Sequence, residues 1–98
     1  MVYTIIYSPD AWRQLKKLPA KTANTIRKLI REHLSHQPDF EGSKRKRLRP
    51  NPIADWELRL GDWRVLYNIR AQEVEVVVIA IGEKRREKLF IDGEEVKL

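Results

Sequence analysis

The segment Trp56-Glu-Leu-Arg-Leu-Gly-Asp-Trp-Arg-Val-Leu-Tyr67 constrains the fold of this chain more than any other. Apolar and polar residues alternate on both sides of Gly61-Asp62, which is the period of a half-buried strand, and a two-residue Gly-Asp loop closes antiparallel hairpins. A turn there sets Leu60 opposite Trp63, Arg59 opposite Arg64, Leu58 opposite Val65, Glu57 opposite Leu66 and Trp56 opposite Tyr67. In that register Trp56, Leu58, Leu60, Trp63, Val65 and Tyr67 share one face, while Glu57, Arg59 and Arg64 share the other. A slip of one residue would scatter this division, so the sorting supports the register.

The flanking segments supply the other layers. Residues 1–7 are β-branched and aromatic, as a strand prefers. Ser8-Pro9-Asp10 then reads as a helix start, with Ser8 as N-cap, Pro9 at the first helical position and Asp10 at the positive end of the dipole. Trp12, Leu15 and Leu18 mark a buried stripe, Pro19 interrupts it, and Ala23, Ile26, Leu29, Ile30 and Leu34 resume helical spacing. The spacing therefore predicts a helical hairpin over 8–35. Residues 36–54, with Pro38, Gly42, Pro50 and Pro52, read as a loop that carries Lys44-Arg45-Lys46-Arg47-Leu48-Arg49. Three strand-like runs follow as an antiparallel meander over 55–82, and Asp92-Gly93 signals a hairpin in the tail, 83–98. The order is β-α-α-β-β-β in a single domain, since 98 residues leave no room for two.

With no cysteine the chain has no disulfide framework and no thiolate metal site, and the longest apolar run, Val76–Ile81, is six residues, far too short to span a bilayer. His33 and His36 have no nearby carboxylate to complete a ligand set, so neither metal nor other cofactor is expected. The expected location is the cytoplasm, away from membranes.

Twenty Lys and Arg against 14 Asp and Glu give a net charge of +6, which points to a polyanionic or acidic partner. The hairpin register gives part of that charge a position. Two guanidinium groups directly opposite one another cost roughly a few tenths to 1 kcal/mol, so something negative should offset them. Either Glu57, Asp55 or a tail carboxylate neutralises the pair, or the pair holds a phosphate, for which two planar, permanently charged forks are well suited. Lys44 to Arg49 and Lys84-Arg85-Arg86 flank the same strands. From Arg13 to Arg31 seven further basic residues occur with no acidic one, so the helices carry a second positive surface.

Nearly the whole chain resembles the RelE/ParE superfamily of type II toxin–antitoxin toxins. The resemblance rests on the strand ending Tyr7-Ser-Pro-Asp10, on Leu15-Lys-Lys-Leu-Pro19, on the Trp56–Tyr67 segment and on Val76-Val-Val-Ile-Ala-Ile-Gly82. It implies an α+β fold of the RelE-like kind: two N-terminal helices packed on a twisted, mainly antiparallel four-stranded sheet. It also implies a metal-free, ribosome-dependent endoribonuclease that cleaves mRNA in the ribosomal A site by attack of a ribose 2′-hydroxyl on the adjacent phosphate. The residues matching the catalytic positions are Arg64, Arg59, Arg85 and Arg86. Lys44, Arg45, Lys46, Arg47, Arg49 and Lys84 match RNA-binding positions, and Glu57 is a base or a charge partner. The implied partners are a cognate antitoxin, the ribosome and mRNA, with operator DNA reached only through the antitoxin complex. Phe90 stands where the efficient nucleases carry a tyrosine or histidine. Two alternatives therefore stand beside the nuclease: a ParE-like toxin acting on a protein target such as DNA gyrase, and a nontoxic nucleic-acid-binding module.

Overall fold

Ser8 makes the first junction of the fold. In the computed structural model, which describes residues 1–98, its extended backbone ends β1 (Thr4–Tyr7), and its hydroxyl accepts the Ala11 N–H at 3.0 Å to open α1 (Pro9–Lys16). Pro19 precedes α2 (Ala20–Leu34). The helices bury Ala11, Gln14 and Leu15 from α1 and Ile26, Ile30 and Leu34 from α2. Trp12, expected in the buried stripe, is 39% exposed. The stripe runs through Ala11, Leu15 and Leu18, which turns Trp12 to its edge, where Lys16 and Arg27 cover the ring at 5.5 and 5.2 Å.

The sheet has seven strands where four were expected. Beyond β1 they are β2 (Arg45–Arg47), β3 (Trp56–Leu60), β4 (Trp63–Arg70), β5 (Glu75–Arg85), β6 (Lys88–Ile91) and β7 (Glu94–Val96). Strands β2 to β7 follow one another as antiparallel neighbours, and β1 joins β5 in parallel. The hairpin β3–β4 has the register predicted from Gly61-Asp62, from Trp56 opposite Tyr67 to Leu60 opposite Trp63. The extra strands are β2, β6 and β7. Arg45–Arg47, assigned to the loop, adds along β3; the hairpin expected about Asp92-Gly93 forms as β6 and β7; and it joins the same sheet because the last meander strand continues past Gly82 to Arg85 and pairs with β6. The β5–β6 turn is Arg86-Glu87, both at positive φ, and without Gly or Asn it leaves no sequence signal.

Strand β5 is long enough to hold β1 along residues 75–78 and β6 along residues 83–85 of the same edge. Side chains satisfy the backbone between them: Ser8 Oγ donates to the Ile79 carbonyl at 2.7 Å, and Gln14 Oε1 accepts the Ile81 N–H at 2.7 Å. That bond explains a glutamine buried in the helical stripe, because an unpaired edge N–H there would be costly. On the other edge of β5, Tyr67 pairs Val78 while Leu66 pairs Ala80. The extra residue, Ile79, resets the alternation so that Val76, Val78 and Ile81 all face the helices.

The main core lies between the helices and this face. On the opposite face a smaller cluster of Ala54, Leu66, Ala80 and Leu89 is covered by Leu48, Ile53 and Val96. Gly82 is where β6 comes closest: a Cβ there would lie 2.6 Å from the Phe90 carbonyl oxygen and 2.9 Å from Ile91 Cγ1. Gly82→Ala is expected to cost about 1–3 kcal/mol by overpacking against backbone. Urea denaturation measures it, and a loss below about 0.5 kcal/mol, the range of an uninvolved surface site, would contradict the close approach. No helix is long and apolar enough to cross a membrane.

Candidate functional site

The face of the sheet turned away from the helices carries the charges. Lys46 is opposite Glu57, Glu57 opposite Leu66 and Leu66 opposite Ala80; in the next row Arg59 is opposite Arg64 and Arg64 opposite Gly82. Lys84, two residues beyond Gly82, continues the same face. Strand alternation thus gathers Lys46, Glu57, Arg59, Arg64 and Lys84 from four strands.

The two central arginines are held differently. Arg64 is buried at 7% exposure, and its Nη1 donates to the carbonyls of Gly61 at 2.6 Å and Trp63 at 2.9 Å. Its Nε, also buried, makes no hydrogen bond, and the nearest carboxylate oxygen, Glu57 Oε1, is 3.7 Å away. That distance gives Coulomb attraction but no hydrogen bond. Glu57 is itself 8% exposed and offsets the arginine pair, as neither Asp55 nor a tail carboxylate does. Arg59 is exposed. The like charges therefore diverge: Arg64 folds into the turn it helped to place, and Arg59 reaches outward.

Beside these residues the sheet curls. Residues near β2 and residues of β6 and β7, at opposite ends of the strand order, line one open cleft of about 350 Å³. Glu57 and Lys84 belong to it, and Arg49 Nη2 donates to the Leu98 carbonyl at 3.4 Å across one side. Around it lie the cations Lys46, Arg49, Lys84, Lys88 and Lys97 and the carboxylates of Glu57 and Glu87; Arg47 and Glu95 also border it, but strand pairing sets their side chains beside Trp56 and Phe90 on the other face. Lys88 and Lys97 were not anticipated, since neither lies in a basic run; the Asp92-Gly93 hairpin signal, followed to its pairing, was the clue that would have brought them in.

Other expected residues lie elsewhere. Arg45 faces the helix side, donating to the Phe40 carbonyl at 2.9 Å and the His33 carbonyl at 3.1 Å, where it ties the loop to the last turn of α2. Arg47 lies over the Trp56 ring at 5.6 Å. Arg85 pairs with Glu83 at 3.0 Å and covers the Phe90 ring at 5.3 Å, on the face opposite Lys84. Arg86 is in the exposed β5–β6 turn, and Lys44, also exposed, precedes β2.

A clamp fixes the wall of the cleft. Arg13 donates to both Asp92 carboxylate oxygens, at 3.0 and 3.1 Å, and Gln14 Nε2 donates to Oδ2 at 3.1 Å. The bonds from Arg13, then from Gln14, hold the Asp92 carboxyl below its ordinary range. The β6–β7 turn is thus tied to α1.

Two helices on one face of a curled, mainly antiparallel sheet is an architecture shared with small toxins. The toxin–antitoxin complex RelBE2 from Mycobacterium tuberculosis is similar, with a TM-score of 0.74 and 26% identity over 86% of this chain and 93% of that chain. The isolated E. coli RelE toxin gives 0.66 and 26% over 86% of each chain. The archaeal RelE–RelB complex from Pyrococcus horikoshii OT3, at 20% identity over 88% of this chain and 99% of that chain, shares the fold with a TM-score of 0.68. These likenesses define a RelE/ParE superfamily toxin. More particularly, the model for the ParE toxin of type II toxin–antitoxin system, parDE, matches residues 5–88, and the chain belongs to that family. No curated protein sequence matches it.

Proposed function

We propose that this toxin is an endoribonuclease that cleaves mRNA on the ribosome and so inhibits translation, acting without a metal. The observation that carries this reading is a buried guanidinium with an unpaired Nε–H, set among Arg59, Lys84 and a buried carboxylate on one sheet face. In the proposed step the ribose 2′-oxygen attacks the adjacent phosphorus and its proton passes to Glu57. The bond from phosphorus to the 5′-oxygen breaks, and that oxygen takes a proton from Lys84 or water, leaving a 2′,3′-cyclic phosphate and a 5′-hydroxyl. Arg64 and Arg59 stabilise the charge that accumulates on the phosphoryl oxygens, the role in which preorganised donors contribute most. Glu57, already beside Arg64, exchanges its role as charge partner for that of base when a phosphate takes over the guanidinium.

Of the seven cations from Arg13 to Arg31, Arg13 is taken up by Asp10 and Asp92; the other six, on the helices, supply a separate positive charge at which an acidic antitoxin or ribosomal RNA docks. The cognate antitoxin neutralises the toxin, and the complex reaches operator DNA through the antitoxin. The cytoplasm is the compartment in which these partners meet.

A second reading, a ParE-like toxin that inhibits a protein such as DNA gyrase, is favoured by one feature: Phe90 has no ionisable group and lies on the face opposite Arg64. Brief induction of the chain alone separates the two. The nuclease reading expects growth arrest with new mRNA 5′ ends in register with codons; broken DNA and a damage response with intact mRNA would overturn it.

A further inference from the structure

The face that carries Arg59 and Arg64 changes character along β5. Its rows run from Gly82, beside Arg64, to Ala80, beside Leu66, and then to Ile79. There the face ends in a second groove, of about 370 Å³, with a half-buried apolar floor of Ile53, Ile79, Ile91 and Val96. These side chains pack against the Leu66, Ala80 and Leu89 cluster, and strand register agrees: Val96 lies opposite Leu89 and Glu94 opposite Ile91. The groove opens where the edge of β5 is left uncovered between β1 and β6, and it reaches Asp10 of α1 and Asp92 of the β6–β7 turn. Its charged lining residues are Asp10, Asp92 and Glu94, with no cation among them, in a chain of net charge +6. Arg13 is bonded to Asp10 and Asp92, whereas Glu94 is exposed and has no salt-bridge partner.

We propose that this groove docks a basic protein segment that accompanies the RNA target, an apolar side chain filling the floor and a lysine or arginine meeting Glu94. The proposal rests on the reading of the ribosome as target, since proteins that pack on RNA are rich in Lys and Arg that neutralise its phosphates. RNA alone fits this end of the face poorly, because phosphates seek cations and three carboxylates line the groove. An acidic antitoxin is repelled for the same reason. The stems of Lys and Arg pack along apolar surface while their charged heads reach outward, which matches three isoleucines and a valine below and Glu94 at the rim. Charge complementarity of this kind steers encounter and suppresses wrong partners. One face thus presents cations to RNA at its Arg59–Arg64 end and carboxylates to protein at the other, so a ribonucleoprotein engages both ends where free RNA engages one.

Binding of the purified chain to whole ribosomes and to protein-free ribosomal RNA is measured by co-sedimentation for wild type, Glu94→Gln and Glu94→Lys, each checked for folding by circular dichroism. If a basic segment meets Glu94, Glu94→Lys weakens ribosome binding severalfold, with Glu94→Gln in between, and leaves binding to the bare RNA equal or stronger. An added cation that strengthens ribosome binding shows that the groove meets phosphate, and unchanged ribosome binding shows that it meets nothing; either overturns the proposal. So does self-association of the wild-type chain that Glu94→Lys abolishes, which assigns the groove to a second copy. A wild-type chain that binds no ribosome overturns the ribosome reading instead, and the groove is then judged with an alternating Leu-Lys peptide against its Leu-Glu counterpart. Shifts of the Ile79 and Ile91 backbone amides at concentrations roughly tenfold lower for the Leu-Lys peptide uphold the basic-segment site, and equal responses overturn it.

Discussion

Arg64→Ala is expected to lower the rate of mRNA cleavage by about 10²–10³-fold, the usual loss when one preorganised donor to a developing oxyanion is removed. The same substitution leaves Glu57 as a buried carboxylate without its cation, which is destabilising in its own right. Arg64→Gln with Glu57→Gln in one chain leaves no unpaired buried charge and tests the arginine and the proposed base together. If folding is retained, judged by an unchanged thermal midpoint, and growth arrest persists, Arg64 has no catalytic role. Arg59→Ala is the graded comparison. Arg59 is exposed and has no salt-bridge partner, so its loss should leave stability within about 0.5 kcal/mol while slowing cleavage less than loss of Arg64. Counting 5′ ends per transcript in the three variants orders them.

The different states of these two arginines show what the sequence carried and what it did not. The register was readable because alternation has a period of two and Gly61-Asp62 fixes its phase; every cross-strand partner from Trp56 to Tyr67 followed. The direction of a guanidinium was not readable, because it depends on which carbonyls the turn leaves open, here Gly61 and Trp63. The basic run Lys44 to Arg49 was visible as a charge, but strand alternation divides it: Lys46 lies opposite Glu57, while Arg45 serves the end of α2 and Arg47 covers Trp56. The same division separates Lys84 from Arg85. A run of like charges looks uniform in one dimension and becomes two surfaces once it enters a sheet. Strand β5 was readable as far as Gly82, where its apolar run ends; its continuation to Arg85 depends on a turn, Arg86-Glu87, that has none of the usual turn residues. Trp12 was misplaced for a simpler reason. Apolar character and spacing put it near the stripe, but its ring is accommodated outside the core by Lys16 and Arg27.

Tyr67→Ala should be among the most damaging substitutions in the chain, costing about 3–5 kcal/mol, as large buried aromatics do when truncated. Tyr67 is fully buried, its ring stacks on Trp56 at 6.1 Å, and its hydroxyl donates to the Pro38 carbonyl at 2.6 Å. A single side chain thereby joins the central strand, the indole beneath Arg47 and the loop that leaves α2. Tyr67→Phe isolates the hydroxyl and should cost about 1–3 kcal/mol, because the Pro38 carbonyl then stays buried without a donor. The two variants also differ from wild type in pH dependence. Burial pushes the Tyr67 hydroxyl above its ordinary value of 10.0, so between that value and its folded pKa the native state holds a proton that the unfolded state releases. Its contribution is therefore complete below about pH 10 and lost as pH rises further. Tyr7, also raised by burial, adds a smaller loss of the same sign. Wild-type stability measured by urea denaturation should fall more steeply from pH 9 to pH 11 than that of Tyr67→Phe; parallel curves would show that this hydroxyl titrates freely and that the bond to Pro38 does not hold the loop.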